Sequence, residues 1–155
     1  MGKIDDRLAE LGIGDLEGFA PKAGGNYVPF VITGKTVYIS GQISQEAGTL
    51  KTGRVGDEIG LEEAAASARL CALSLIGVLK AAAGGDLDRV ARVIKLTGFV
   101  NSAPDFTDQP KVINGASNLM VDVFGEAGSH ARSAVGVAAL PLGVQVEIEG
   151  IFELT

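Results

Sequence analysis

The chain ends in a run of strict alternation. Val144, Val146, Ile148, Gly150, Phe152 and Leu154 fall on one side, and Gln145, Glu147, Glu149, Ile151 and Glu153 on the other. A period of two with this polarity is a strand with one buried face. It obliges the rest of the chain to supply a covering layer, and so narrows the fold to architectures built on a covered sheet. The preceding segment from His130 to Ala139 reads as a second strand, opened by Arg132 in a run of small apolar residues, with Leu140-Pro141-Leu142-Gly143 as the turn between the two. In a tight hairpin Ala139 lies opposite Val144 and Arg132 opposite Ile151, which sets Arg132 on the face of Gln145, Glu147 and Glu149. Beside Ala134 and Gly136 a guanidinium has room for a small anion, and its planar fork matches a carboxylate in two parallel hydrogen bonds. A cross-strand ion pair worth about 0.2–1 kcal/mol has the same pattern, so spacing leaves a site and a satisfied pair both open.

The covering layer is legible upstream. Leu61, Ala65, Ala68, Ala72, Leu75 and Leu79 recur at helical spacing and predict a helix from Leu61 to Ala83. Glu62 and Glu63 sit in its first turn, where the helix dipole favours acids, and Gly84-Gly85 stops it. A second helix is predicted from an Asp108 cap, with Pro110 in its first turn, to Phe124, stopped by Gly125. Tyr27–Thr33 and Thr36–Ser40 read as a hairpin over Gly34-Lys35, and Arg92–Val100, apolar on both faces, as a central strand. Residues 44–60 read as an irregular excursion, and residues 3–11 as a short amphipathic helix followed by a loop to Gly25. The order is a helical arm, then β-β-α-β-α-β-β. It predicts one α+β domain over residues 1–155, with arm and loop in 1–24 and two helices on one face of a mixed sheet. No third layer is available within the chain, so the other face is expected to meet further copies of it.

At 155 residues, 46% of them hydrophobic, the chain can bury a single core. A net charge of −6, no run of Lys or Arg, and only 6 Phe, 2 Tyr and no Trp argue against a nucleic-acid surface, which needs basic clusters and stacking rings. One cysteine, Cys71, excludes an internal disulfide, and its apolar helical setting reads as a buried structural thiol. One Cys and one His exclude the usual zinc ligand sets, so no metal or other cofactor is expected. The start, MGKIDDRLAEL, has no apolar signal core and no run reads as a membrane span, so a soluble cytoplasmic protein is expected. His130 would have to serve any Ser–His or Cys–His catalysis; with no G-x-S-x-G elbow it reads as a loop residue without a role. Tyr27, after Gly24-Gly25-Asn26, either stacks on a ligand or caps the core. Ser40-Gly41-Gln42 either opens the backbone to a ligand or simply ends a strand, and Asn114 reads as exposed or locally bonded.

Three segments, GNYVPFVITGKTVYISGQI, RVIKLTGFVNSAPDF and ARSAVGVAALPLGVQVEIEGIFEL, together resemble the RidA (YjgF) family of reactive-intermediate deaminases, also labelled L-PSP endoribonucleases or translation inhibitors. The resemblance covers nearly the whole chain after the arm, and the arm with NSAPDFTDQP resembles a distinct branch. It implies a chorismate-mutase-like fold, a homotrimer with ligand clefts between subunits, and cofactor-free hydrolysis of enamines and imines such as 2-aminoacrylate to 2-keto acids and ammonia. By the same resemblance Arg132 clamps the substrate carboxylate and Glu147 positions the attacking water, kept ionised by the nearby arginine. Tyr27, Ser40, Gly41 and Asn114 line the cleft, and Ala134 stands where the family often has cysteine. Gly136, in place of a residue often charged, is expected to loosen the floor. A non-catalytic trimer that binds a small carboxylate or serves as a stress-response protein, and the ribonuclease of the older label, are the competing readings.

Overall fold

In a computed structural model, which describes residues 2–19 and 25–155, both predicted helices form on one face of a five-stranded mixed sheet. The predicted loop residues 20–24, Gly24 ahead of Tyr27 among them, lie outside the described residues. In chain order the elements are α1 (Lys3–Glu10), β1 (Phe30–Thr33), β2 (Thr36–Ile43), β3 (Gln45–Glu46), β4 (Thr49–Leu50), α2 (Leu61–Ala82), β5 (Val90–Asn101), α3 (Gln109–Phe124), β6 (Ala131–Val137) and β7 (Val146–Leu154). The sheet runs β1-β2-β7-β5-β6, with β6 parallel to β5 and every other pair antiparallel. β3 and β4 form a small separate hairpin inside the excursion at 44–60.

The elements form for local reasons. α2 stops at Ala82, with the Ala83 N–H bonding back to Leu79 O, and the chain turns through Gly84 and Gly85 at positive φ. α3 starts one residue after Asp108, whose side chain caps nothing; its carbonyl instead accepts from Lys111 N and Val112 N. β1 is shorter than predicted because Pro29 has no N–H for the ladder, though Pro29 O still accepts from Ser40 N at 2.9 Å. α1 is tied down at its start, where Lys3 N and Ile4 N donate to the Asp88 carboxylate at 3.0 and 2.9 Å. These bonds hold Asp88 below the usual carboxylate range.

The core lies between sheet and helices. Val93, Leu96, Val100, Val146, Ile148 and Phe152 meet Leu75, Leu79, Ile113 and Met120, all fully buried. α2 and α3 approach closely where Gly115 faces the Ala65 carbonyl, a contact with no space for a Cβ. α2 is long and apolar enough to cross a membrane, which corrects the expectation that no run qualifies; it is packed on the sheet as the core helix.

The predicted terminal hairpin does not form. β5, apolar on both faces, takes the slot between β6 and β7, and residues 138–145 carry the chain across the end of β5. Arg132 is therefore in register with Leu96, not Ile151, and through Leu96 with Gly150, on the face toward the helices. Glu147 is in register with Phe99 and Ile43 on the other face. Gln145 leaves the polar face as well: it is buried ahead of β7, accepting from Ser67 Oγ at 2.7 Å and donating to Thr52 O and Glu63 Oε2 at 3.0 and 2.8 Å. The face away from the helices is uncovered in the single chain, and Val31, Tyr38 and Val135 stand exposed on it.

Candidate functional site

The expected residues separate into two clusters. The first is at the edge strand β6, where Arg132 reaches under α3. Its Nη1 donates to Asn114 Oδ1 at 2.8 Å and Ser117 Oγ at 3.1 Å, and its Nη2 to Pro110 O at 3.4 Å. Pro110, Asn114 and Ser117 sit four and three residues apart, the spacing that puts them on one helix face. Of the five N–H groups of the guanidinium, two remain without a partner among the described residues. No carboxylate pairs with Arg132 among those residues, which removes the ordinary ion-pair reading. A permanent charge, partly buried and held only by neutral oxygens, is a group prepared for an anion.

The floor beside Arg132 is less open than expected. Ala134 packs against the core, and the space a Cβ would take at Gly136 is filled by Ser102 Oγ and Gln109 Nε2. Gln109 Nε2 itself donates to Phe106 O at 2.7 Å and Ser102 Oγ at 3.3 Å. Gly136 thus admits two side chains of the protein, not a ligand.

The second cluster is where β2 bulges. The register with β7 shifts between Ile39 and Gln42, so Ser40 and Gly41 share one step of the ladder. Ser40 Oγ donates to Val28 O at 2.6 Å, next to the exposed Tyr27, and Gln42 Nε2 donates to Ser40 O at 2.9 Å, pinning the bulge from the core side. The Glu147 carboxylate lies over Gly41, in space that any Cβ there would occupy. Burial, with the neighbouring Glu149 charge, raises the Glu147 pKa. This corrects the expectation that Arg132 keeps it ionised: within one chain the arginine is on the opposite face. Beneath, Cys71 is fully buried and donates to Val146 O at 3.5 Å; burial pushes its thiol far up, so it is the structural thiol expected.

Ser40, Gly41 and Glu147 thus come together, Tyr27 being joined to them through its chain neighbour Val28, and Arg132 with Asn114 and Ala134 forms a separate group. One copy of the chain does not join the two clusters. Sequence reading missed Ser117 and gave His130 no role: Ser117 Oγ is 2.9 Å from His130 Nε2, and His130 Nδ1 is 2.6 Å from Gly128 O. The Pro110/Asn114/Ser117 spacing is the signal that points to the first. A hollow of about 430 Å³ under α1, lined by Asp5, Leu8, Ile13, Leu16 and Lys80 among others, shares no residue with either cluster. Among the described residues no group of His, Cys, Asp and Glu could hold a metal ion.

A family model described as "YjgF/chorismate mutase-like, putative endoribonuclease" matches residues 6–152. The chain is 46% identical to Protein TCP17 of Trypanosoma cruzi, over 99% of this chain and 95% of that one. It is 33% identical to the 2-iminobutanoate/2-iminopropanoate deaminase of Rattus norvegicus, over 85% of this chain and 82% of that one. Among solved structures, the protein Atu1372 of Agrobacterium tumefaciens, described as of unknown function, matches with a TM-score of 0.89 at 48% identity, covering 98% of this chain and 92% of that one.

Proposed function

The chain belongs to the YjgF/chorismate mutase-like family, and from that premise we propose that it hydrolyses reactive enamine and imine acids, of the 2-aminoacrylate kind, to 2-keto acids and ammonia. The observation that carries this reading is the Arg132 guanidinium, held by three neutral oxygens and keeping two N–H groups for a carboxylate. The deaminase name of relatives near 33% identity supports the reaction class.

In the proposed reaction the substrate carboxylate docks on the free fork of Arg132, with Asn114 and Ala134 at its side. Glu147 takes a proton from water as the water oxygen bonds to the imine carbon. That proton goes to nitrogen to give a carbinolamine, and the hydroxyl proton then passes through Glu147 to nitrogen as the C=O bond forms and the C–N bond breaks, so that ammonia leaves a 2-keto acid. Imines already hydrolyse in water, so a positioned base supplying about 10²–10⁴-fold is sufficient. Tyr27, Ser40 and Gly41 form the opposite wall. Because Arg132 and Glu147 lie on opposite faces of one sheet, the complete site takes them from different copies of the chain, in a homotrimer that also covers Val31, Tyr38 and Val135.

The test generates 2-aminoacrylate or 2-iminobutyrate in place with an amino-acid dehydratase and follows keto-acid and ammonia release. The Arg132→Ala variant is expected to lose about 10²-fold or more of the acceleration. Full activity in that variant overturns the reading. A second reading is a binder of small carboxylates without turnover; it is favoured by the placement of Arg132 and Glu147 on opposite faces, so that one copy of the chain presents the clamp without the base. Saturable 2-keto-acid binding with no acceleration decides for it. RNA cleavage, the older family label, has against it the net charge of −6 and the lack of a basic run.

A further inference from the structure

We propose that His130 and Ser117 are positioning residues for Arg132, forming a directional hydrogen-bond chain that fixes which edge of the guanidinium faces the ligand. The inference rests on the reading of Arg132 as a carboxylate clamp and adds two residues to it.

The direction of the chain follows from what each atom can do. Gly128 O is a carbonyl and only accepts, so His130 Nδ1, at 2.6 Å, carries the proton and donates. With the ring neutral, its lone pair is on Nε2, which accepts from the Ser117 hydroxyl at 2.9 Å. With its hydrogen committed to the imidazole, Ser117 Oγ turns lone pairs toward Arg132 and accepts from Nη1 at 3.1 Å. Asn114 Oδ1 takes the other Nη1 hydrogen at 2.8 Å, and Pro110 O takes one from Nη2 at 3.4 Å.

What remains is the Nε hydrogen and one hydrogen on Nη2. Where Pro110 O takes the Nη2 hydrogen that faces Nη1, these two lie along one edge of the planar guanidinium and form a fork of carboxylate width. Without an acceptor on His130 the Ser117 hydroxyl rotates freely and can present its own hydrogen to the guanidinium. The arginine then loses one of its two Nη1 anchors and samples other edges. A charged fork that must be ordered at each binding event binds more weakly than one already ordered. His130 and Ser117 therefore act on affinity through Arg132 and need not touch the substrate.

The experiment titrates the full-length protein with 2-ketobutyrate by calorimetry and measures kcat and KM for 2-iminobutyrate generated in place. His130→Phe keeps ring volume and removes the acceptor. It is expected to weaken 2-ketobutyrate binding about tenfold and to raise KM by a like factor, with kcat within about twofold. His130→Gln, whose amide oxygen can accept from Ser117, is expected to restore binding to within about threefold. Ser117→Ala breaks the same chain with one atom, and carries the test if the Phe variant does not fold. Combined with His130→Phe it should be no weaker than either alone, because both remove one link.

Wild-type binding in both His130→Phe and Ser117→Ala, with binding lost in Arg132→Ala, overturns the positioning role and leaves the clamp standing. Unchanged binding in Arg132→Ala removes the clamp itself. Additive losses in the double variant also overturn the proposal. So does labelling of Ser117 by a fluorophosphonate, since that makes the Ser117–His130 pair a nucleophile and its base.

Discussion

Glu147 ties a charge to a burial, and both its chemistry and its effect on stability follow from that. A carboxyl whose folded-state pKa is raised takes up protons more readily folded than unfolded. Its contribution to stability is therefore fully present below the unfolded carboxylate range and is lost as pH rises through the folded value. Glu147→Gln removes the charge and is expected to raise Tm at pH 7–8, by about 1–2 °C given solvent screening at a half-exposed group. The gain should vanish in acid below the ordinary carboxylate range, where both proteins are neutral at this position. Melting curves across pH check it, and an equal gain at acid pH counts against the raised pKa. The same shift bears on activity: a base must be ionised to take a proton, so the rate should fall on the acid side starting above the ordinary carboxylate range. At Gly41 the argument is spatial. Gly41→Ala puts a methyl group where the Glu147 carboxylate lies, so the carboxylate must swing away. Turnover is expected to drop about tenfold or more while 2-ketobutyrate binding at Arg132 stays within about threefold, a split that kinetics and calorimetry read separately.

At the scale of elements, the sequence makes β5 a central strand and β6 and β7 neighbours, and the sheet keeps only the first. Arg92–Val100 is apolar on both faces and so central, and His130–Leu154 reads as a closed hairpin. The first is a burial requirement spread over a whole strand, and the second rested on one Leu-Pro-Leu-Gly turn. Burial won, and the residues between β6 and β7 cross the end of β5 instead of reversing tightly. This one exchange carries Arg132 to the helix face and turns a cross-strand pair with Glu147 into two separate clusters. The helices are legible because their spacing is long and regular, and the face of α3 that meets Arg132 is half legible, through Asn114 but not Ser117. No periodicity reveals that a hydroxyl at one turn meets an imidazole beyond the helix end. Gly115 gives this scale its prediction. Gly115→Ala drives a methyl into the Ala65 carbonyl where α2 and α3 touch, and backbone does not give way as a flexible side chain would. A loss of about 1–3 kcal/mol by denaturant unfolding is expected, and wild-type stability would mean the helices can separate at no cost.

For the whole molecule the open sheet face and the divided site make one argument. The chain leaves Val31, Tyr38 and Val135 exposed on the same face as Glu147, and sets its anion-ready arginine on the opposite face at the far edge. A second copy seated on the open face would cover those side chains and could bring its Arg132 edge to Glu147. Single-chain sequence patterns show that a face needs a cover; they carry no register between copies, which is why this part of the site was not legible from residues alone. The proposed arrangement predicts complementation. Arg132→Ala and Glu147→Gln chains are each expected to be inactive. Unfolded together in equal amounts and refolded, they form clefts whose arginine and glutamate come from different chains at random. A cleft works when the arginine comes from a Glu147→Gln chain and the glutamate from an Arg132→Ala chain, one half in each case, so about a quarter of wild-type activity should return. If both groups come from the same copy, every cleft in the mixture lacks one of them and no activity returns. Light scattering on the same samples, expected to give three times the chain mass, separates a failure to assemble from a failure to complement.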